Sequence, residues 1–135
     1  MRLPEEDIRI FNDSLDRYIA HPGSLDDFYS RLIGGSETVA AKFDGVDMTH
    51  QKRALRASLY TAMFAADGNQ PAIEQLRVLR HRHSDLGIEP EHYDLWLDCL
   101  IASVRECAGT FDVRAERVWR AVLAVAIEIM RGDVG

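Results

Sequence analysis

The placement of helix-breaking residues constrains the fold of this chain more than any other feature of its sequence. Glycine, proline and asparagine or aspartate interrupt the chain at intervals of about ten to twenty residues. Between the interruptions, no stretch of five or more residues shows the alternation of β-branched and polar side chains that a strand would need. The sequence therefore predicts an all-α protein of six or seven helices joined by short connections.

The same interruptions predict where each helix begins and ends. Proline suits the first turn of a helix, and acidic side chains stabilise its positive end. Ser24-Leu25-Asp26-Asp27 resembles a capping box, with aspartate in place of glutamate. The predicted helices run from Pro4 to His21, from Ser24 to about Ile33, briefly to Phe43, from 48 to about Ala66, from Pro71 to near Gly87, from Pro90 to about Gly109, and from Asp112 to about Arg131.

Length, charge and cysteine content exclude several classes of protein. The 135 residues suffice for one core, so we expect a single domain over residues 1–135. A net charge of −6 disfavours a nucleic-acid partner, and no apolar run approaches the length of a membrane-spanning helix. The N-terminus lacks the basic-then-apolar pattern of a signal peptide. Two cysteines are too few for a disulfide framework, which favours a cytoplasmic location.

A histidine lies on an otherwise apolar helix face. Leu76, Leu79 and His83 are spaced i, i+3 and i+7, so they share one face and His83 can present a ring nitrogen to a metal. The alternative is a core histidine that is satisfied by a backbone carbonyl. His81 lies two residues earlier, about 200° around the helix, and therefore faces away from His83.

Seven aromatic and polar positions have separations that point to a known family. They are Phe28-Tyr29, Phe43, Gln51, His83 and His92-Tyr93, within the stretches FYSRLIGGSETVAAKF, QKRALRASL, HSDLGIEPEHY and WRAVLAVAIEI. These stretches, from Phe28 to about Met130, resemble the bacterial single-domain globins and the globin domains of flavohaemoglobins. Helix periodicity alone fits either a globin-like packing or a helical bundle. The resemblance implies the globin fold, built around one haem b (iron protoporphyrin).

The resemblance also implies which residues hold the haem. It places the iron ligand at His83 and the aromatic ring that stacks on the macrocycle at Phe43. Tyr93 is expected beside the iron-ligating histidine. Leu79 walls the macrocycle and Leu55 roofs the space above it.

Tyr29 and Gln51 resemble the pair that faces the bound gas. Oxygen acquires partial negative charge on iron, so a phenol or amide donor stabilises it. A register shift of one residue would instead bring His50 over the iron as a sixth ligand. That shift would also put Ala54 and Ser58 on the apolar face, which disfavours it.

The chain departs from the family pattern at two places. In flavohaemoglobins a glutamate of the last helix completes a hydrogen-bonded group with the iron-ligating histidine and its neighbouring tyrosine. The matching position here falls near Val134, and the nearest acid, Glu128, is out of place. We therefore expect a weakened electron donation to the iron. The proline that usually starts the short third helix is also missing, near Glu37.

Two groups of residues, one basic and one apolar, each allow two interpretations. A basic cluster is typical of a solvated face, with contact to haem propionates as the alternative; it comprises Arg77, Arg80, His81 and Arg82. The apolar residues of the last two helices are interpreted as core, although some could form a homodimer face; they are Trp96, Leu100, Trp119, Val122, Leu123 and Ile127.

Three functions are compatible with these residues. The first is reversible binding of oxygen or another diatomic gas, such as nitric oxide or carbon monoxide, with nitric-oxide dioxygenase activity if a separate reductase supplies electrons. The second is a haem-based gas sensor that signals through a separate partner. The third is a globin that has lost haem and serves as an interaction module, against which His83 and Phe43 argue. No catalytic side chain is assigned.

Overall fold

A computed structural model of the protein describes residues 2–85 and 87–132 but not the side chain of Asp85. Over those residues the chain forms seven helices and no strand, which confirms the all-α prediction. The helices are α1 (Glu5–Ala20), α2 (Ser24–Gly35), α3 (Glu37–Ala41), α4 (Met48–Ala66), α5 (Gln70–Asp85), α6 (Pro90–Cys107) and α7 (Val113–Arg131). None of the helices in this described part is long and apolar enough to cross a membrane.

Most helices begin and end where the local chemistry predicts. The Asp112 side chain accepts a hydrogen bond from the backbone N–H of Ala115 and so caps α7, as Asp47 caps α4. Pro90 occupies the first turn of α6, where its missing N–H costs nothing. Gly132 ends α7 with a φ of 82°, a left-handed conformation that glycine adopts without strain.

The capping box predicted at Ser24 is wrong. The residue that caps α2 is Gly23, and no side chain there accepts a hydrogen bond from the helix N-terminus. Ser24 is instead buried, and its carbonyl accepts hydrogen bonds from Tyr18 Oη at 3.1 Å and Ser103 Oγ at 3.2 Å. Side-chain hydroxyls of α1 and α6 thus satisfy the buried Ser24 carbonyl, and α2 begins without a side-chain cap.

The second helix also extends further than its glycines predict. It continues past Ile33 to Gly35 and ends where Ser36 adopts an extended conformation and caps α3. A Cβ atom at Gly35 would lie 3.1 Å from Leu95 Cδ1, so α2 approaches α6 closely at this point. The packing of α2 against α6 compensates the modest loss of helix propensity, about 1 kcal/mol per glycine.

The core has two regions. In the region where α1 packs on α7, Trp119 is fully buried against the rings of Phe11 and Tyr18. Its Nε1 donates to Ser14 Oγ at 2.7 Å, and that hydroxyl donates to the Ile10 carbonyl at 2.8 Å. The other region surrounds a cavity that is lined by residues of α2 through α7. The first region consists of aromatic packing between α1 and α7, and the second contains the candidate site.

Candidate functional site

The cavity has a volume of about 490 Å³ and a mostly apolar lining. This size lies within the range of about 300–1,000 Å³ that is usual for cofactor sites. All the residues predicted to face a cofactor or its ligand line it, namely Tyr29, Phe43, Gln51, Leu55, Leu79, His83 and Tyr93. The sequence-predicted residues therefore meet in one place, although they come from four different helices and one turn.

One wall, which we call the α5–α6 wall, is formed by Leu79 and His83 of α5 and Tyr93 of α6. His83 is half-buried, and its Nδ1 lies 3.1 Å from the hydroxyl oxygen of Tyr93. Burial lowers the pKa of the imidazole, which favours its neutral form. Among the described residues, the His83 ring makes this one hydrogen bond, through Nδ1. Its other nitrogen, Nε2, is therefore left for a ligand.

Tyr93 is buried in the first turns of α6. Burial raises the pKa of its phenol, and the positive charge of Arg131 acts in the opposite direction. Glu128 is exposed and does not line the cavity, whereas Val134 lies outside the described residues. In the part of the chain that the structure describes, no carboxylate hydrogen-bonds to either member of the His83–Tyr93 pair.

The opposite wall, the α2–α4 wall, is formed by Tyr29 of α2 with Gln51 and Leu55 of α4. The Tyr29 hydroxyl donates to the backbone carbonyl of Gln51 at 3.4 Å, which is long for an O–H···O bond. Burial raises the pKa of Tyr29 to about 12, so the phenol stays protonated and remains a donor. The Phe43 ring, in the turn after α3, packs edge-on against Tyr29 with centroids 5.6 Å apart.

The register of α4 decides between Gln51 and His50. Gln51 lines the cavity, whereas His50 is exposed and its backbone N–H donates to the Asp47 carboxylate. Ala54 and Ser58 line the cavity together with the predicted leucines, so this face of α4 is broader than the sequence pattern indicates. In this structure, α4 therefore brings Gln51 rather than His50 to the site.

Besides Ser58, two polar residues on the cavity wall, Lys42 and His92, were given no role from the sequence. Lys42 adjoins Phe43, and His92 packs beside the site while its Nδ1 accepts a hydrogen bond from the Glu89 backbone N–H at 2.9 Å. His92 belongs to the His92-Tyr93 pair that carries the family resemblance, and Lys42 could have been found from the sequence by its position next to Phe43. None of the basic residues proposed for a propionate contact lines the cavity: Arg77, Arg80, His81 and Arg82.

The arrangement suits a large, flat, mostly apolar ligand held by one imidazole. Among the described residues there is no group of three or more His, Cys, Asp or Glu side chains that could hold a metal ion by themselves. A metal at His83 would therefore need most of its ligands from a surrounding macrocycle. An aromatic ring at Phe43 and leucines on both walls offer the contacts that such a macrocycle needs.

Comparison with known protein families yields a match over most of the chain. A family model described as Globin matches residues 13–130. A flavohemoprotein of Bacillus thuringiensis subsp. konkukian is 34% identical over 62 residues, which are 46% of this chain and 15% of that protein. A flavohemoprotein of Bordetella pertussis is 30% identical over 84 residues, 61% of this chain and 21% of that protein. The matching segments thus span about a fifth or less of the length of these relatives.

A solved structure resembles the whole fold. A Pseudomonas aeruginosa PAO1 protein, described as structurally highly homologous to a human hemoglobin, superposes with a TM-score of 0.89 and 34% sequence identity. The superposition covers 96% of this chain and 98% of the other.

Proposed function

Since the chain belongs to the globin family and has the globin fold, we propose that it holds one haem b in the cavity, with His83 as the protein ligand to the iron. The observation that carries this proposal is the half-buried imidazole that lines an apolar cavity of about 490 Å³. When bound, haem supplies an iron with an open coordination position for a diatomic gas. The prediction of the fold and the family is confirmed, whereas the role of each site residue is part of the proposal.

The Tyr93 hydroxyl orients the His83 ring for this role. With Nδ1 hydrogen-bonded at 3.1 Å, the tautomer that carries its proton on Nδ1 leaves the Nε2 lone pair for iron. Neutral imidazole is the form that binds a metal, and burial favours it at neutral pH by lowering the pKa of His83.

The opposite wall supplies the donors for the gas. Tyr29 is buried and protonated, and Gln51 offers an amide N–H from the same side of the cavity. A hydrogen bond from either group stabilises a bound gas that carries negative charge, such as oxygen, more than one that carries little, such as carbon monoxide. The pair therefore favours oxygen among the gases that the site admits.

Oxygen binding gives the chain a further activity when electrons are available. Conversion of nitric oxide to nitrate consumes one nitric oxide, one oxygen molecule and one electron. We infer that nitric-oxide dioxygenase turnover requires a reductase as a partner. The similarity to flavohemoproteins supports this inference, since their name denotes a flavin as well as a haem and this chain matches 15–21% of their length.

The experiment that tests the proposal is a haem titration of the purified protein, followed by visible absorption. We expect a Soret band that saturates at one haem per chain and shifts reversibly when the ferrous protein takes up oxygen or carbon monoxide. A titration without a saturating Soret band would refute the haem proposal. Saturation without a gas-dependent shift would refute gas binding alone.

A further inference from the structure

Arg131 lies at the end of α7, one residue beyond Met130 of the cavity wall. Its Nη2 donates to the Pro90 carbonyl at 3.1 Å and to Asp94 Oδ1 at 2.8 Å. Pro90 and Asp94 flank Tyr93 in the first turns of α6. The guanidinium is therefore fixed at the turn that carries the hydrogen-bond partner of His83.

The charged group of Arg131 is less exposed to solvent than that of its ion-pair partner Asp94. The Arg131 side chain is 28% exposed, whereas the Asp94 side chain is 73% exposed. Solvent screens the carboxylate strongly and the guanidinium less, so the ion pair leaves a net positive field on its buried side. Within the described residues, Arg131 Nε is the one buried side-chain polar atom without a hydrogen-bond partner. An N–H that is left unpaired in the interior adds to this positive field.

A positive field at Tyr93 has a definite consequence for His83. When Nε2 binds a metal, Nδ1 donates its hydrogen to the Tyr93 oxygen. A nearby cation withdraws electron density from that oxygen and makes it a poorer acceptor, so the imidazole becomes a weaker donor to the metal. The charge also disfavours the more positive metal ion through space. Both effects favour ferrous over ferric iron.

We propose that Arg131 is a positioning residue for the His83–Tyr93 pair, and that its half-buried charge holds the haem iron of this protein toward the ferrous, gas-binding state. The proposal rests on the haem function proposed above. It adds a residue that neither helix periodicity nor the family resemblance assigns. The opposing effects of burial and Arg131 on the pKa of Tyr93 support it, because they place the guanidinium within electrostatic reach of the phenol.

The test compares the ferric–ferrous equilibrium of the haem-loaded protein with that of three variants. Arg131→Met should shift the equilibrium toward ferric iron by roughly three- to tenfold, the size expected for loss of one partly screened charge that does not touch the metal. Arg131→Lys keeps the charge without the forked hydrogen bonds, and should retain most of the wild-type equilibrium. An unchanged equilibrium in Arg131→Met, or an equal shift in both variants, would overturn the electrostatic role.

Asp94→Asn provides a control of opposite sign on an exposed residue. It removes the neutralising carboxylate and leaves the cation, so the equilibrium should shift toward ferrous iron by a smaller factor. Mere loosening of the α6–α7 contact would shift Asp94→Asn and Arg131→Met in the same direction. A ferric shift, or no shift, in Asp94→Asn would therefore overturn the proposal even if Arg131→Met failed to fold. Absence of a Soret band in the wild type would refute the haem function instead.

Discussion

The two walls of the cavity differ in how firmly they hold their polar groups. On the α5–α6 wall, the His83 ring is tied to Tyr93 at 3.1 Å, and the turn that carries Tyr93 is tied in turn to Arg131. On the α2–α4 wall, Tyr29 makes a long contact of 3.4 Å with a backbone carbonyl. A firmly held group suits a permanent ligand to iron, whereas a weakly held donor can leave its partner for a gas molecule. The difference agrees with the proposed roles, the α5–α6 wall for the cofactor and the α2–α4 wall for its gas ligand.

Replacement of His83 should produce the largest effect. His83→Ala removes the imidazole from the α5–α6 wall, so we expect loss of stoichiometric haem binding, or binding that requires added imidazole. The measurement is the Soret band during haem titration. The matched control is His81→Ala on the exposed side of the same helix, which should leave the spectrum unchanged. A normal ferrous spectrum in His83→Ala would move the iron ligand elsewhere.

Replacement of Tyr29 tests the α2–α4 wall. Tyr29→Phe removes one donor and little volume, and a hydrogen bond to a charged acceptor in a shielded site contributes on the order of 1.5–3 kcal/mol. Oxygen should therefore dissociate roughly ten- to a hundredfold faster. Carbon monoxide dissociation should change far less, because its outer atom carries less charge. Stopped-flow measurement of both gases separates these cases, and equal effects on both would indicate a loosened pocket rather than a lost donor.

Gln51 should contribute less than Tyr29. Its side chain is longer and half-exposed, so Gln51→Leu should speed oxygen dissociation by a smaller factor than Tyr29→Phe. His50→Ala is the matched control, since His50 is the exposed neighbour on the same helix, and it should leave oxygen dissociation unchanged. A six-coordinate ferrous spectrum that disappears in His50→Ala would show that the register of α4 shifts by one residue.

The smallest expected effect concerns the iron–histidine bond. A phenol accepts a hydrogen bond more weakly than a carboxylate does, so His83 should donate to iron as in an oxygen-carrier globin rather than as in a peroxidase. Resonance Raman spectroscopy of the deoxy ferrous protein measures this stretching vibration directly. Tyr93→Phe should lower the frequency slightly. A frequency in the peroxidase range would mean that a carboxylate such as Glu128 reaches the site.

Much of the fold could be predicted from the sequence, because local chemistry determines most helix boundaries. Asp112 and Pro90 begin α7 and α6 as their residue types indicate. The predicted capping box failed at Ser24, where tertiary contacts decide the local structure. The Ser24 carbonyl accepts hydrogen bonds from hydroxyl groups of two other helices. A single sequence carries no signal for such contacts.

The candidate site was predictable to a similar extent. Periodicity on α5 placed His83 on an apolar face, and the family resemblance supplied the residues of other helices. The apolar periodicity of the helices does not single out Lys42 or Arg131. Their positions near the site depend on the tertiary packing of α3, α6 and α7. The cytoplasmic location, the single domain and the homodimer face depend on composition or analogy, and they stay predictions.

The hydrogen bond between Trp119 and Ser14 restricts how this sequence can change over time. Substitution of Ser14 by alanine would leave the buried indole N–H without an acceptor, at a cost of about 1–3 kcal/mol. Substitution of Trp119 by phenylalanine removes that demand, but it leaves a space between Phe11 and Tyr18. The dependence runs one way, because the Ser14 hydroxyl also donates to the Ile10 carbonyl and keeps that partner without Trp119. Descendants of this chain that keep the tryptophan should therefore keep a hydroxyl at position 14.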